Sequence, residues 1–222
     1  MIPIISVVGR SEVGKTTLLE KLIAELKGRG YRVAAVKHDV HGFELDKPGK
    51  DSWRLAQAGS DAVVLSSPEK MALIKNVDHD LALQEIGYLL GREFDIILTE
   101  GYKQSRGTKI EVHRKGMGEL LCAPGELLAV ATDESLDTPV PQFSLEDAKG
   151  LANLVVDFMA QRQDEDITLV YVNGKPVPIK SFVEEIISVA ILGMVSTLNG
   201  VGEVGRLDIT IQRKKKHGVS GG

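Results

Sequence analysis

The chain has 222 residues, 43% of them hydrophobic and 26% charged, which is enough for one substantial core and a small second one. A formal charge of −4 leaves no overall electrostatic footprint for nucleic acid, and charges interrupt the apolar stretches well short of the ~20 residues of a membrane span. The N-terminus enters a strand with no secretory signal, and the lone Cys122 rules out an internal disulfide and argues against a cysteine-based metal site; a cytoplasmic protein is expected.

Ile4 to Val8 is a continuous apolar run, the pattern of a strand buried on both faces. It leads into Gly9-Arg10-Ser11-Glu12-Val13-Gly14-Lys15-Thr16, the spacing G-x-x-x-x-G-K-[ST] of a phosphate-binding P-loop. Gly9 and Gly14 let the backbone turn until successive N–H groups face one centre, and the following helix adds its positive end. Lys15 is expected to reach the β- and γ-phosphates of a nucleotide, Thr16 to ligate Mg²⁺ and Thr17 to touch the α-phosphate. Leu18, Leu19, Leu22, Ile23 and Leu26 then recur at helical spacing until Gly28 and Gly30 stop the helix.

Arg32 to Val36 reads as a second strand, ending in the polar stretch Lys37 to Asp46, which is placed beyond the carboxyl ends of the strands beside the P-loop. A short helix opens near Asp51 or Ser52 as N-cap and runs to Ala58. Asp61 to Leu65 and Met71 to Ile74 are two short strands around the turn Ser66-Ser67-Pro68. Leu81 to Leu90 is helical by spacing, and the strand Phe94 to Leu98 delivers Thr99-Glu100-Gly101-Tyr102-Lys103 to the ligand edge. Lys109 to Val112 and Leu127 to Ala131 complete the core strands, and Leu145 to Met159 is an amphipathic closing helix. The alternation predicts an α/β fold, a mainly parallel sheet with helices on both faces.

Gln161 to Asp166 is polar with nothing to bury, so residues 1–162 are read as the nucleotide-binding domain and 163–166 as a linker. Residues 167–213 form a small α+β extension: a strand from Ile167 to Val172, the tight-turn signal Asn173-Gly174, a return strand Val177 to Ile179, a helix Ser181 to Leu198, and an alternating strand Leu207 to Ile211. Residues 214–222 are read as a flexible tail. So small a core suggests dimerisation or partner docking, and a homodimer is expected.

Four pieces in order, the P-loop, Lys37-His38-Asp39 with His41, Phe43 and Asp46, the run Gly49-Lys50-Asp51-Ser52 with Arg54, and Thr99-Glu100-Gly101-Tyr102-Lys103, together resemble the molybdopterin-guanine dinucleotide biosynthesis protein B (MobB) family over residues 1–162. The resemblance implies a P-loop GTPase fold and a GTP-binding accessory with weak GTPase activity, assisting the nucleotidyltransferase MobA when GMP is attached to molybdopterin. It makes GTP, that transferase, and molybdopterin or its guanine dinucleotide the expected partners, with no nucleic acid and no membrane.

Beside that resemblance, Asp39 and Glu100 end two different central strands and are the acidic candidates to hold Mg²⁺ together with Thr16. Lys15 covers phosphate charge, with Arg10 adding to it, so Lys15, Asp39 and Glu100 form the expected catalytic group. Asp95 begins its strand at the opposite end of the sheet and is excluded. His38 and His41 with Asp39 and Asp46 are too loosely spaced for a zinc site and read as phosphate- or backbone-bonding loop residues, whereas His79 and His113 read as surface or strand positions. Lys50, Asp51 and Arg54 fit a nucleotide-sensing switch or a docking surface for the phosphorylated pterin. Asp133 follows a late strand where related GTPases place the carboxylate that accepts guanine N1–H and amine protons, although the Asn and Lys of the usual Asn-Lys-x-Asp pattern are missing. Two other classes stay open: a small-molecule kinase using ATP, which needs an arginine-bearing lid where the sequence offers no obvious insertion and only scattered arginines such as Arg54 and Arg106, and a metal-delivery GTPase, which lacks its cysteine or histidine-rich tract here.

Overall fold

The computed structural model describes residues 2–40, 42–44, 46–91, 93–163, 168, 170–172, 175–205 and 207–211, in two units, Met1–Glu165 and Asp166–Gly222. In chain order the first contains β1 (Ile4–Gly9), α1 (Lys15–Gly28), β2 (Val33–Lys37), α2 (Asp51–Gln57), β3 (Ala62–Ser66), β4 (Met71–Lys75), α3 (Leu83–Leu89), β5 (Ile96–Glu100), β6 (Thr108–His113), β7 (Leu127–Thr132), β8 (Gln142–Ser144) and α4 (Ala148–Gln163). Six of these strands form one sheet in the order β2-β5-β1-β6-β7-β8, with every pairing parallel. All six carboxyl ends therefore lie along one edge, where open α/β sheets bind ligands.

The period of two in the strands divides the core. Ile5, Val7, Ile96, Leu98, Ile110, Val112, Ala129 and Ala131 pack against Leu18, Leu22 and Leu26 of α1 and Leu151, Val155 and Met159 of α4. Each fully buried Leu or Ile contributes about 1.5–3 kcal/mol. Ile4 and Ile97 point to the other face, where their methyls lie 3.7 and 3.6 Å from the place a Gly87 Cβ would occupy, so α3 lies close against that face. There the buried hydroxyls of Thr99 and Ser6 satisfy each other at 2.9 Å.

Several expectations need correction. β3 and β4, both expected as strands, stand outside the six-stranded sheet: among the described residues they pair with each other alone, as an antiparallel hairpin in register Ala62↔Lys75 to Ser66↔Met71, leaving Val64, Met71 and Leu73 exposed. β8 was not anticipated: three residues after Pro139 and Pro141 are too few to show a period. The N-cap of α2 is Lys50, not Asp51 or Ser52; the Ser52 hydroxyl instead donates to Asp46 Oδ1 at 3.0 Å. The closing helix begins at Ala148 because the Asp147 carboxylate caps it, accepting the Gly150 N–H at 2.9 Å. It runs on through Gln163, so 161–163 are helical rather than linker; Gln and Arg are good helix formers, and a polar run of them can prolong a helix. Residues 164–166 lie outside the described residues.

In the second unit β9 (Val170–Val172) and β10 (Lys175–Val177) pair antiparallel, followed by α5 (Ser181–Ser196). The register Val172↔Lys175 puts the return strand two residues earlier than Val177 to Ile179. Leu207 to Ile211 forms no strand; alternation cannot make one without a partner edge, and Ile209 and Ile211 are exposed. His41, Ile167, Asn173-Gly174 and the tail 214–222 lie outside the described residues.

Candidate functional site

The phosphate loop is held by its two ends. Gly9 closes β1 at φ 151°, and a Cβ there would lie 2.5 Å from the Val112 carbonyl oxygen on β6, so only glycine fits between the strands. At the other side Val13 is buried in the core while Arg10, Ser11 and Glu12 are exposed, with Glu12 at φ 62°. Gly14 then starts α1 with no side-chain cap and no acidic residue in its first turn, so no side chain caps the first N–H groups of the helix.

Lys15 bends back so that its ammonium donates to the Arg10 carbonyl at 2.6 Å, arching over the loop where a phosphate chain would lie. Partial burial lowers its pKa from the usual lysine value, Lys103 and Lys37 lower it further, and Glu100 opposes them. The Thr16 hydroxyl donates to Glu100 Oε2 at 2.7 Å, so two of the three expected metal-site residues converge. Glu100 also faces Lys37 at 3.9 Å and is only 14% exposed. Thr17 is exposed one residue further along α1. Asp39 is exposed two residues beyond Lys37, the residue registered against Glu100.

The segment after Glu100 is fastened to the end of β2. Gly101 has φ 105°, and a Cβ there would come 3.1 Å from the Cβ of His38, a second place where glycine is needed. The His38 N–H donates to the Glu100 carbonyl at 3.0 Å. Tyr102, at φ 56°, stacks on the His38 ring with centroids 4.3 Å apart, and its hydroxyl donates to the Leu81 carbonyl at 3.2 Å. Asp80 places both oxygens 3.0 Å from His38 Nε2. His38 is thus a backbone-and-aromatic anchor, and no group of three or more His, Cys, Asp or Glu side chains placed to hold a metal ion occurs among the described residues. Asp46 accepts the Lys47 N–H at 2.9 Å besides Ser52, fixing the approach to α2, where Arg54 and Asp51 form an exposed pair at 3.6 Å. Asp95 accepts the Arg32 N–H at 2.6 Å just before β5, at the amino end of that strand.

Asp133 follows β7 and lines an open cleft of about 570 Å³ between the ends of β7 and β8, with Thr132, Glu134, Ser135 and residues 142–144. Its Oδ1 accepts the Lys115 N–H at 2.7 Å and its Oδ2 accepts from Arg114 Nη1 at 3.1 Å, and these donors, the backbone one first, hold the carboxyl below its usual range. Arg114 was missed in the sequence, and so was the role of His113, which is buried at the end of β6 with Nε2 2.9 Å from Glu134 Oε1. The available signal was their position: the two residues where β6 reaches the ligand edge.

The comparisons with known proteins bear on the family and the fold. The family model described as Molybdopterin guanine dinucleotide synthesis protein B (MobB) matches residues 4–133. A molybdopterin-guanine dinucleotide biosynthesis adapter protein from Escherichia coli is 37% identical over 169 residues, 73% of this chain and 96% of the relative. One of the same name from Haemophilus influenzae is 42% identical over 138 residues, 61% of this chain and 78% of the relative. A crystal structure of molybdopterin-guanine biosynthesis protein B superposes with a TM-score of 0.55 at 30% identity, covering 70% of this chain and 99% of the other. With more than half of its length matched, this chain belongs to the molybdopterin-guanine dinucleotide synthesis protein B family.

Proposed function

We propose that this protein is an adapter of molybdopterin-guanine dinucleotide biosynthesis that binds GTP with Mg²⁺, hydrolyses it weakly, and assists a MobA-type nucleotidyltransferase. The observation that carries the reading is the convergence of the phosphate loop, the Lys15 ammonium and the Thr16–Glu100 pair at the carboxyl edge of the sheet. A hydroxyl and a carboxylate, both oxygen donors, suit a magnesium ion, which prefers few protein ligands beside phosphate oxygens and water. Thr16 and Glu100 would hold it, with Asp39 on the adjacent strand end as the third candidate. Bound there, the ion would neutralise charge between the β- and γ-phosphates.

The chain's own groups supply the remaining steps. Uncapped N–H groups of α1 and the loop cradle the phosphates, and Lys15 exchanges its bond to the Arg10 carbonyl for phosphate oxygens. The cleft at Asp133 lies on the side of β1 away from β5, at the distal end of the same edge, and receives the base. A carboxylate has about four lone-pair sites, so the two bonds Asp133 already accepts leave capacity for guanine N1–H and its amine. A homodimer and direct contact with molybdopterin or its guanine dinucleotide complete the reading, in the cytoplasm.

The test is reconstitution. Formation of the guanine dinucleotide by a MobA-type transferase is measured with and without this protein and with Lys15→Ala. The reading expects stimulation by the wild type and its loss in the variant; equal stimulation by both would sink the nucleotide-dependent part, and none by either would sink the adapter role.

A further inference from the structure

Arg114 stands where the two halves of the site meet. Its chain leaves the end of β6, and its Nε donates to the Val13 carbonyl of the phosphate loop at 3.1 Å. Its Nη1 donates to Asp133 Oδ2 at 3.1 Å, and its Nη2 lies 3.4 Å from the place a Gly14 Cβ would occupy. The next N–H, of Lys115, holds Asp133 Oδ1, and the preceding residue, His113, reaches Glu134. Three successive residues at the end of β6 therefore fix the loop after β7, and one of them continues across to the phosphate loop. β6 lies between β1 and β7 in the sheet, so these two loops belong to strands that share no ladder.

We propose that Arg114 is a positioning residue that locks the base loop to the phosphate loop, so that one nucleotide engages both at once. The inference rests on the nucleotide reading above. A planar fork with donors at fixed angles holds a carbonyl and a carboxylate at a set separation, which a lysine ammonium on a flexible stem cannot do. Without the fork, phosphate still finds the loop and the α1 N-terminus, but the base cleft has to be ordered against it during binding, and that lowers affinity only for ligands that carry a base.

The experiment titrates the full chain calorimetrically, in Mg²⁺, with GTP and with inorganic triphosphate, which lacks base and ribose. In the wild type GTP binds tighter than inorganic triphosphate. Arg114→Ala weakens GTP by about 10- to 100-fold, the range for a charge-assisted hydrogen bond, while inorganic triphosphate stays within about threefold. Arg114→Lys keeps the charge and does not restore GTP affinity; it carries the test by itself if the alanine variant fails to fold, as judged by thermal unfolding. Equal losses for both ligands would make Arg114 a phosphate ligand, and no loss for either would leave a structural tie; each result overturns the proposal. Wild-type protein that binds GTP no tighter than inorganic triphosphate overturns the nucleotide reading itself, before any variant is made.

Discussion

Replacing Glu100 by Gln keeps the shape of the side chain and an oxygen for the Thr16 hydroxyl, and removes one negative charge. The Coulomb support that Glu100 gives the Lys15 ammonium is lost, and three further interactions change, whose sizes decide the outcome. The ion pair with Lys37 at 3.9 Å has a bare Coulomb energy of about 4 kcal/mol at an effective dielectric near 20. Lys37 is 67% exposed, however, and exposed ion pairs contribute about 0–1 kcal/mol, so the loss of this pair by itself lowers Tm by about 2–4 °C at most. The Thr16 bond passes from charged to neutral, a loss of about 1–1.5 kcal/mol. What dominates is the lost attraction for a divalent cation at a site only 14% exposed. The account expects Mg²⁺-dependent GTP affinity to drop by about tenfold or more and Mg²⁺-free affinity to change little. The assay is calorimetry with Mg²⁺ and with a chelator. A variant whose affinities fall equally in both buffers, or in neither, would refute the assignment of Glu100 to the metal.

Gly9→Ala drives a Cβ to 2.5 Å from the Val112 carbonyl at a positive φ, so urea unfolding is expected to show a loss of about 2–5 kcal/mol, and a neutral result would mean that β1 and β6 are less closely apposed. Glu111, buried on β6, accepts the Leu121 and Cys122 N–H groups at 2.7 and 3.0 Å; Glu111→Ala is expected to cost about 2–4 kcal/mol and to release protection of those two amides in hydrogen exchange. Lys15 titrates below the ordinary lysine value of 10.5, chiefly because it is desolvated, and phosphate prefers its ammonium form. GTP affinity should therefore fall as pH rises through that lowered value, in a window opening below 10.5, and Lys15→Arg should shift the loss upward. The same depression destabilises the fold while Lys15 is charged, and that cost lifts as pH rises toward 10.5. A pH-independent affinity up to 10.5 would contradict the first sign, and a stability that does not gain over that window would contradict the second.

What could be read from the sequence was whatever a local pattern dictates. The apolar run into a glycine-bounded loop specified β1, the turn and α1, because burial on both faces and the glycine positions leave little else. Glu100 was reachable because a strand end names an edge. The β3–β4 hairpin was readable as two strands but not as a separate sheet, since pairing partners are chosen by tertiary contacts and not by period. β8 was hidden by its length, and the end of α4 by the polar character of its last residues. Arg114 was out of reach for another reason: its importance lies in spanning 101 residues of sequence to Val13, a distance that no local pattern encodes. For the same reason Asp133 could be nominated, but its two existing donors could not.

The central claim is that the loop at Gly9–Thr16 binds a nucleotide through Lys15, and the most direct measurement is equilibrium titration of the full chain with GTP and ATP in Mg²⁺, repeated on Lys15→Ala. The account predicts saturable binding that prefers GTP and is lost, by tenfold or more, in the variant. Binding that prefers ATP would contradict the guanine reading at Asp133, and binding of either nucleotide that survives Lys15→Ala undiminished would contradict the phosphate site itself.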